Sequence, residues 1–353
     1  MNKKIKILIA GPIFPPAGGI SIHLQRLNHL FCKDYDFSFI DESDNIKPDV
    51  FNIRSFNIIG YFKRVYNTDL FFIHSGNKYF KKINIVIGKV FRKKIIITIH
   101  GYGKQRSLFF KIVDSFIFNL SDKIILVNSQ ISSRLNLDKN KCLIKNAFLP
   151  PDLDKEPQLP AFLTDLITLA RSENKVIICS NASRLNTYNN EDLYGLDMCI
   201  ESTRSIVEKG YSIHFIFIVS SLQVGKEKFE NGKKLIEKYN LENNFLLLNQ
   251  ELSFVNLMRK ADIVLRPTNT DGDALTIREA IYFNKHVIAS DIVERPEGSI
   301  LFRTRDFNDL DIQLEKLIIN INSNSNENKI NLTSNINNDL LFYKDLFQSV
   351  MES

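Results

Sequence analysis

Short runs of β-branched and aromatic residues alternate along the chain with stretches in which apolar positions recur every three or four residues. KIKILIA is followed by ISIHLQRLNHLF, and DLFFIH, RKKIIITIH and SDKIILVN come later, each followed or preceded by helical spacing. Near-continuous apolar runs fit strands buried on both faces, and the amphipathic stretches supply the cover, so the pattern predicts parallel sheets of the α/β class. NAFLPPDLDKEPQLP interrupts it with prolines and few strand formers, and reads as a linker. The pattern then restarts. NKVIICSNAS reads as a first strand, followed by helices near LDMCIESTRSIVEKG and KFENGKKLIEKYN and by strands HFIFIVSS, FLLLN, ADIVLRPT and KHVIASD.

The length of 353 residues agrees with two domains at roughly 150 residues each. The expected architecture is two Rossmann-like, doubly wound domains facing a cleft, residues 1–150 and 151–337. The Asn/Ser-rich stretch from Ser323 to Asn338 reads as a loop. DLLFYKDLFQSVM then reads as a terminal amphipathic helix, about 338–353, that packs back on the first domain.

In doubly wound sheets ligands sit beyond the carboxyl ends of strands, which directs attention to the residues just after each one. The first strand runs into GPIFPPAGG, where Gly18 and Gly19 open a helix and let backbone N–H groups approach a phosphate. The spacing is not GxGxxG, which argues against a nicotinamide dinucleotide. His74 and His100 close two strands. His74 reads as a structural residue, whereas His100, ahead of GYGKQ, is open between a structural role and one facing the cleft. Arg184 follows VIICSNAS and suits either a diphosphate clamp or an ordinary surface position.

RPTNTDGDALTIREA, Arg266 to Ala280, crowds short polar groups between a strand and a helix. The helix should start near Asp273 or Ala274 with Asp273 as cap. The N–H groups from Gly272 through Asp273 and Ala274 to Leu275 then favour an anion or a sugar hydroxyl. Asp271 stands before the helix mouth and Glu279 about two turns on, where a carboxylate can accept both hydroxyls of a ribose. A helix that merely caps itself would use the same residues.

Composition, with 44% apolar and 24% charged residues, is that of a globular protein. No run approaches the ~18 to 20 apolar residues of a membrane span. The apolar ILIA near the start is too short for a signal peptide and reads as part of a strand. Four cysteines without metal spacing suggest a reduced, cytoplasmic protein. The net charge of +6 conceals an asymmetry: residues 1–150 carry 24 Lys+Arg against 10 Asp+Glu, and the remainder carries 22 against 30. Basic residues interleave with aromatics in YFKRVY, KYFKKINIVIGKVFRKK and GKQRSLFFK, which points to an anionic surface. Neutralising Lys81, Lys82, Lys93 and Lys94 is expected to weaken binding to anionic vesicles. No RNA-binding module is recognisable, so nucleic acid is not an expected partner.

Taken together, these elements resemble glycosyltransferase family four, the retaining enzymes of the GT-B fold, over nearly the whole chain. The family's Glu, seven residues, Glu signature is similar to Asp271 and Glu279 here. PIFPPAGGISIHLQRL, IIITIHG, SDKIILVNS and SRLNTYNNEDLYGLD resemble its glycine loop, N-domain histidine, pre-linker strand and phosphate-binding segment. The resemblance implies an NDP-sugar donor, with Glu279 on its ribose, Arg184 and the backbone of Gly18 and Gly19 on the diphosphate, and Asp271, Gly272 and His100 near the transferred sugar. It implies no metal or other cofactor. DGD is similar to the DxD metal element of another glycosyltransferase class, but its place at a strand-to-helix junction speaks against that reading.

Two positions depart from the family. Tyr194 stands where its members usually carry lysine, with Arg266 or Arg295 as replacement cations by position, and Asp271 replaces a glutamate. The expected activity is transfer of a hexose-type sugar to a polyprenyl-diphosphate-linked saccharide, in bacterial surface polysaccharide synthesis at the inner face of the membrane. An NDP-sugar epimerase or hydrolase of the same fold, or a non-catalytic saccharide-binding protein, are the alternatives.

Overall fold

The computed structural model describes residues 4–15, 18–102, 107–272, 274–323 and 335–352, with the side chains of 130 and 335–339 left out. Asp273, residues 103–106 of the third basic cluster, and 324–334 of the Asn/Ser-rich stretch therefore lie outside the described residues. The chain divides into two units, Met1–Leu149 with Asn335–Ser353, and Pro150–Ser334.

The first unit is built on strands β1 (Lys6–Gly11), β2 (Asp36–Asp41), β3 (Leu70–Ile73), β4 (Lys94–Ile99), β5 (Lys123–Leu126) and β6 (Cys142–Ile144). All pair in parallel, in the order β2-β1-β3-β4-β5-β6. Side chains alternate across a strand, and each face has its own core. Leu8 and Ala10 join one cluster, while Ile7 and Ile9 join the other. Helices α1 (Gly19–Phe31), α2 (Ile58–Tyr66), α3 (Lys78–Val90) and α4 (Leu108–Asn119) supply the cover. Tyr61 and Val65 of α2, Ile85 of α3 and Phe118 of α4 share the first cluster. Leu24, Leu27 and Phe31 of α1 belong to the second.

The second unit repeats the plan. It contains β7 (Val176–Ala182), β8 (Thr187–Tyr188), β9 (Glu191–Asp192), β10 (Ile213–Val219), β11 (Phe245–Asn249), β12 (Ile263–Arg266), β13 (His286–Ser290) and β14 (Ser299–Phe302). The main sheet is parallel, in the order β11-β10-β7-β12-β13-β14, with β8 and β9 forming a separate antiparallel pair. The connecting helices are α5 (Ala161–Ser172), α6 (Leu196–Glu208), α7 (Lys226–Lys238), α8 (Phe254–Lys260), α9 (Leu275–Tyr282) and α10 (Phe307–Asn322). The sequential connections leave β7 in opposite directions, so the sheet has its topological switch point between β7 and β12. Among the described residues no helix is long and apolar enough to cross a membrane.

The terminal helix α11 (Asn335–Glu352) returns to the first unit, where Tyr343, Leu346, Phe347 and Val350 complete the α1 side of its core. Residues 335–338, expected in a loop, are its first turn. Their backbone gains helical hydrogen bonds by continuing an amphipathic stretch that is anchored by those buried residues.

Candidate active site

The loops after β7 and β12 flank the switch point of the second unit, and they are tied to each other. Asn269 donates through its backbone to Leu193 O (3.2 Å) and through Nδ2 to Tyr188 O (3.1 Å). Gly195, at φ +67°, lies so close to Pro267 that a Cβ would stand 2.6 Å from its carbonyl oxygen. Only glycine fits there. The Asp192 carboxylate accepts from the N–H groups of Tyr194 (3.0 Å) and Leu196 (3.2 Å), so the mouth of α6 is largely filled by its own chain.

The mouth of α9 receives no such carboxylate among the described residues. Its N-cap is Ala274 and receives no side-chain hydrogen bond, and the helix begins at Leu275, slightly later than the expected start. Leu275 and Thr276 are half-buried. The N–H groups of a helix's first turn have no intrahelical acceptor, and the dipole there favours negative charge. Glu279 is buried at the fifth position of α9, little more than one turn in.

Asp271 is an anchor. Its Oδ2 accepts from Arg295 (3.0 Å), Thr268 Oγ1 (3.1 Å) and Arg266 Nε (3.3 Å), and Oδ1 accepts from Gly272 N (3.0 Å). Burial pushes its pKa up, but the two guanidinium groups outweigh that and hold it below the usual carboxylate range. Arg295 also donates to Ser290 O (2.9 Å), and its side chain is only 1% exposed. Arg295 is therefore buried support for the loop, and of the two replacement cations only Arg266 reaches the loop surface. Arg266 stacks over Tyr194, 5.1 Å from the ring centre, and the Tyr194 hydroxyl meets Ser183 Oγ at 3.2 Å.

Arg184 is exposed directly after β7, with no side-chain partner among the described residues. Lys228 of α7 was not singled out from sequence. It donates to Asn186 O (3.1 Å), fixing the loop that carries Arg184. KFENGKK offers several lysines at surface spacing, and nothing local marks this one.

In the first unit, α1 begins at Gly19 behind an extended N-cap, Gly18, whose N–H donates to Ser21 Oγ (2.9 Å). A Cβ on Gly19 would meet nothing within 4 Å, and one on Gly18 only Ser21 Oγ at 3.7 Å. The fold itself does not require glycine at either place. His100 is half-buried and shares a hydrogen bond with the fully buried His74, Nε2 to Nδ1 at 3.1 Å, while His23 Nδ1 meets Ala147 O at 2.8 Å. Burial drives the pKa of His23 down to about 4 and those of His74 and His100 well below the ordinary value. The cluster is neutral at pH 7, so His100 acts as a hydrogen-bonding group there.

Beside it lies a group that sequence reasoning missed. Glu42, just past β2, accepts from Ser75 Oγ (2.5 Å) and Asn84 Nδ2 (2.9 Å), and Asn84 in turn accepts from Tyr61 OH (2.6 Å). Burial pushes the Glu42 carboxyl up to about 7, against those hydrogen bonds. In IDES a carboxylate after a strand carries no local sign of the helix that buries it.

The basic clusters also resolve differently from expectation. Lys81 is buried, with Nζ donating to Thr98 O (3.1 Å); Lys82 pairs with Asp114 (3.1 Å); Lys93 donates to Tyr66 O (2.7 Å) and Thr68 O (2.8 Å). Lys94 is half-buried at the start of β4. The ammonium groups of Lys81, Lys82 and Lys93 satisfy carbonyls and a carboxylate of the unit itself. Among the described residues, no three His, Cys, Asp or Glu side chains converge as metal ligands would.

Two doubly wound parallel sheets define the class: this is the GT-B fold of glycosyltransferases. Residues 175–300, within the second unit, match the family model for glycosyl transferases group 1. No curated protein matches the chain. Among solved structures it is similar to a glycosyltransferase from Rickettsia africae ESF-5 (16% identity, 99% of each chain, TM-score 0.72). It is also similar to Anabaena HepE in complex with UDP-glucose (15% identity, 90% of this chain and 91% of that chain, TM-score 0.66). A third similar structure is sucrose-phosphate synthase from Thermosynechococcus elongatus (13% identity, 90% of each chain, TM-score 0.61).

Proposed function

We infer that the protein is a retaining, metal-independent glycosyltransferase that moves a hexose-type sugar from an NDP-sugar to a polyprenyl-diphosphate-linked saccharide. Its setting is bacterial surface polysaccharide synthesis at the inner face of the cytoplasmic membrane. The observation that carries the reading is the N-terminus of α9 at the switch point, whose N-cap has no side-chain hydrogen bond among the described residues, with Glu279 one turn inside and Arg184 exposed after β7. In this reading the diphosphate meets the first-turn N–H groups and Arg184, and the Glu279 carboxylate accepts the ribose hydroxyls. A leaving diphosphate gains charge as the glycosidic bond breaks, and donors aimed at it stabilise that change. The acceptor hydroxyl bonds to the anomeric carbon from the face the phosphate leaves, and its proton passes to the departing phosphate oxygen. That route needs no protein nucleophile. The UDP-glucose bound by HepE makes UDP-hexoses the first donors to test.

UDP, GDP and their hexoses should be screened by thermal shift, since a ligand bound only by the native state raises the unfolding midpoint. One nucleotide series should raise it. Glu279→Ala and Arg184→Ala should each remove that shift and lower transfer by at least ~100-fold, on the scale of losing one transition-state donor. Absence of any nucleotide shift in the wild type would overturn the reading.

A further inference from the structure

We propose that the outer face of α2, α3 and α4 is a surface that inserts into the headgroup layer of an anionic phospholipid membrane. The proposal rests on the membrane-acceptor part of the function inferred above and names the contact that serves it.

The three helices cover one side of the first sheet, and their inner residues form a single cluster. Neighbours along the layer touch: Phe62 and Phe91 lie 5.6 Å apart between α2 and the end of α3, and Lys82 of α3 pairs with Asp114 of α4. A surface helix ordinarily turns its charges outward. In α4 polar groups share the inner face with Phe118. Asp114 and Ser115 are buried, held by Tyr102 OH (2.9 Å) and by Asn136 N (3.0 Å), while Phe109 and Phe116 are each 69% exposed. The inward hydrogen bonds fix the rotation of the helix and so fix the phenylalanines outside. On α2, Ile59 is 81% exposed, with Tyr66 exposed on the same helix, and Val90 is exposed at the end of α3. Exposed apolar side chains on three adjacent helices mark an interaction face.

Charge selects the occupant. Residues 51–119 contain 13 Lys+Arg and two acidic residues, Asp69 and Asp114. Asp114 is buried, and Asp69 accepts from Lys6 N (2.9 Å). Lys63, Lys78 and Arg92 are exposed among the apolar residues. Apolar side chains next to cations in excess, with Asp122 and Asp44 already paired to Lys89 and Arg54, match the acyl-to-headgroup boundary of an anionic leaflet. A second copy placed on the same face by a two-fold axis would set these cations against one another.

The full chain should be sedimented with vesicles of phosphatidylcholine alone and of an equimolar mixture with phosphatidylglycerol, without sugar nucleotide. The wild type should bind the mixed vesicles at least tenfold more tightly than phosphatidylcholine. The triple variant Phe109→Ser, Ile112→Ser, Phe116→Ser should lose at least tenfold on the mixed vesicles, at unchanged circular dichroism. Phe162→Ser, an exposed phenylalanine of the second unit, should bind as wild type. Equal binding by the triple variant, or wild-type self-association that the triple variant abolishes in place of vesicle binding, overturns the proposal. Because the assay contains no donor, its failure leaves the transferase reading standing, and a failed nucleotide screen leaves this one standing.

Discussion

Asp271 shows how the meaning of a residue depends on what surrounds it. From sequence it stands at the lip of a helix, free to meet a sugar; in the fold its carboxylate is shared by Arg295, Arg266 and Thr268. Removing one partner of a buried ion pair leaves the other unpaired, at a cost of about 3 kcal/mol or more. Asp271→Asn should therefore lower stability by about that amount in urea unfolding, as well as lowering turnover. A variant with full stability and reduced turnover would show that the carboxylate serves the substrate and leaves the loop unsupported by it. A glutamate at this position would carry the carboxylate about one methylene past Arg295, so Asp271→Glu should also be less stable than the wild type.

Among the elements, α6 and α9 both point a helix N-terminus at the switch point; Asp192 accepts from the first N–H of α6, and among the described residues no side chain does so at the N-cap of α9. The two loops meet where Gly195 packs on Pro267. Gly195→Ala forces a side chain into a left-handed conformation against a carbonyl, a strain of about 1 to 3 kcal/mol. The variant should unfold at lower urea by that margin and bind the donor nucleotide more weakly in calorimetry. Unchanged affinity and stability would mean that the close approach has no part in shaping the site. The elements themselves were largely legible. Long apolar runs such as KIIITI and FIFIV could only be buried strands. DFSFID of β2 was not singled out because an edge strand is half-exposed and its apolar run is broken by polar residues.

For the molecule as a whole, buried titratable groups in the first unit tie its stability to pH. Glu42 is pushed up to about 7 from a reference of 4.5, so the folded state holds its proton where the unfolded chain has released it. That contribution is fully present below pH 4.5 and is lost as pH rises through 7, with an upper bound of about 3 kcal/mol. The buried histidines act in the opposite direction: their pKa values are lowered, so stability falls as pH drops below 6.5, for His23 towards about 4. Urea unfolding at pH 5 and pH 8 should show that Glu42→Gln gains relative to wild type at the higher pH. A pH-independent difference between the two proteins would show that Glu42 ionises normally.

The sequence by itself determined the class of fold, two Rossmann-like units divided near residue 150, because the alternation of strand and helix periods is a local property of the chain. It also marked the segments that end at the carboxyl side of strands, where Arg184, Gly272 and Glu279 stand. Tertiary structure decided which charges are available. Lys81 and Lys93 look like solvated cations in a basic cluster but are consumed by Thr98, Tyr66 and Thr68. Asp114 looks like the solvent side of a helix and proves to be its buried side. Hydrogen-bond partners at these positions come from distant strands and helices, so no local pattern could reveal whether a charge faces water, a substrate or the interior.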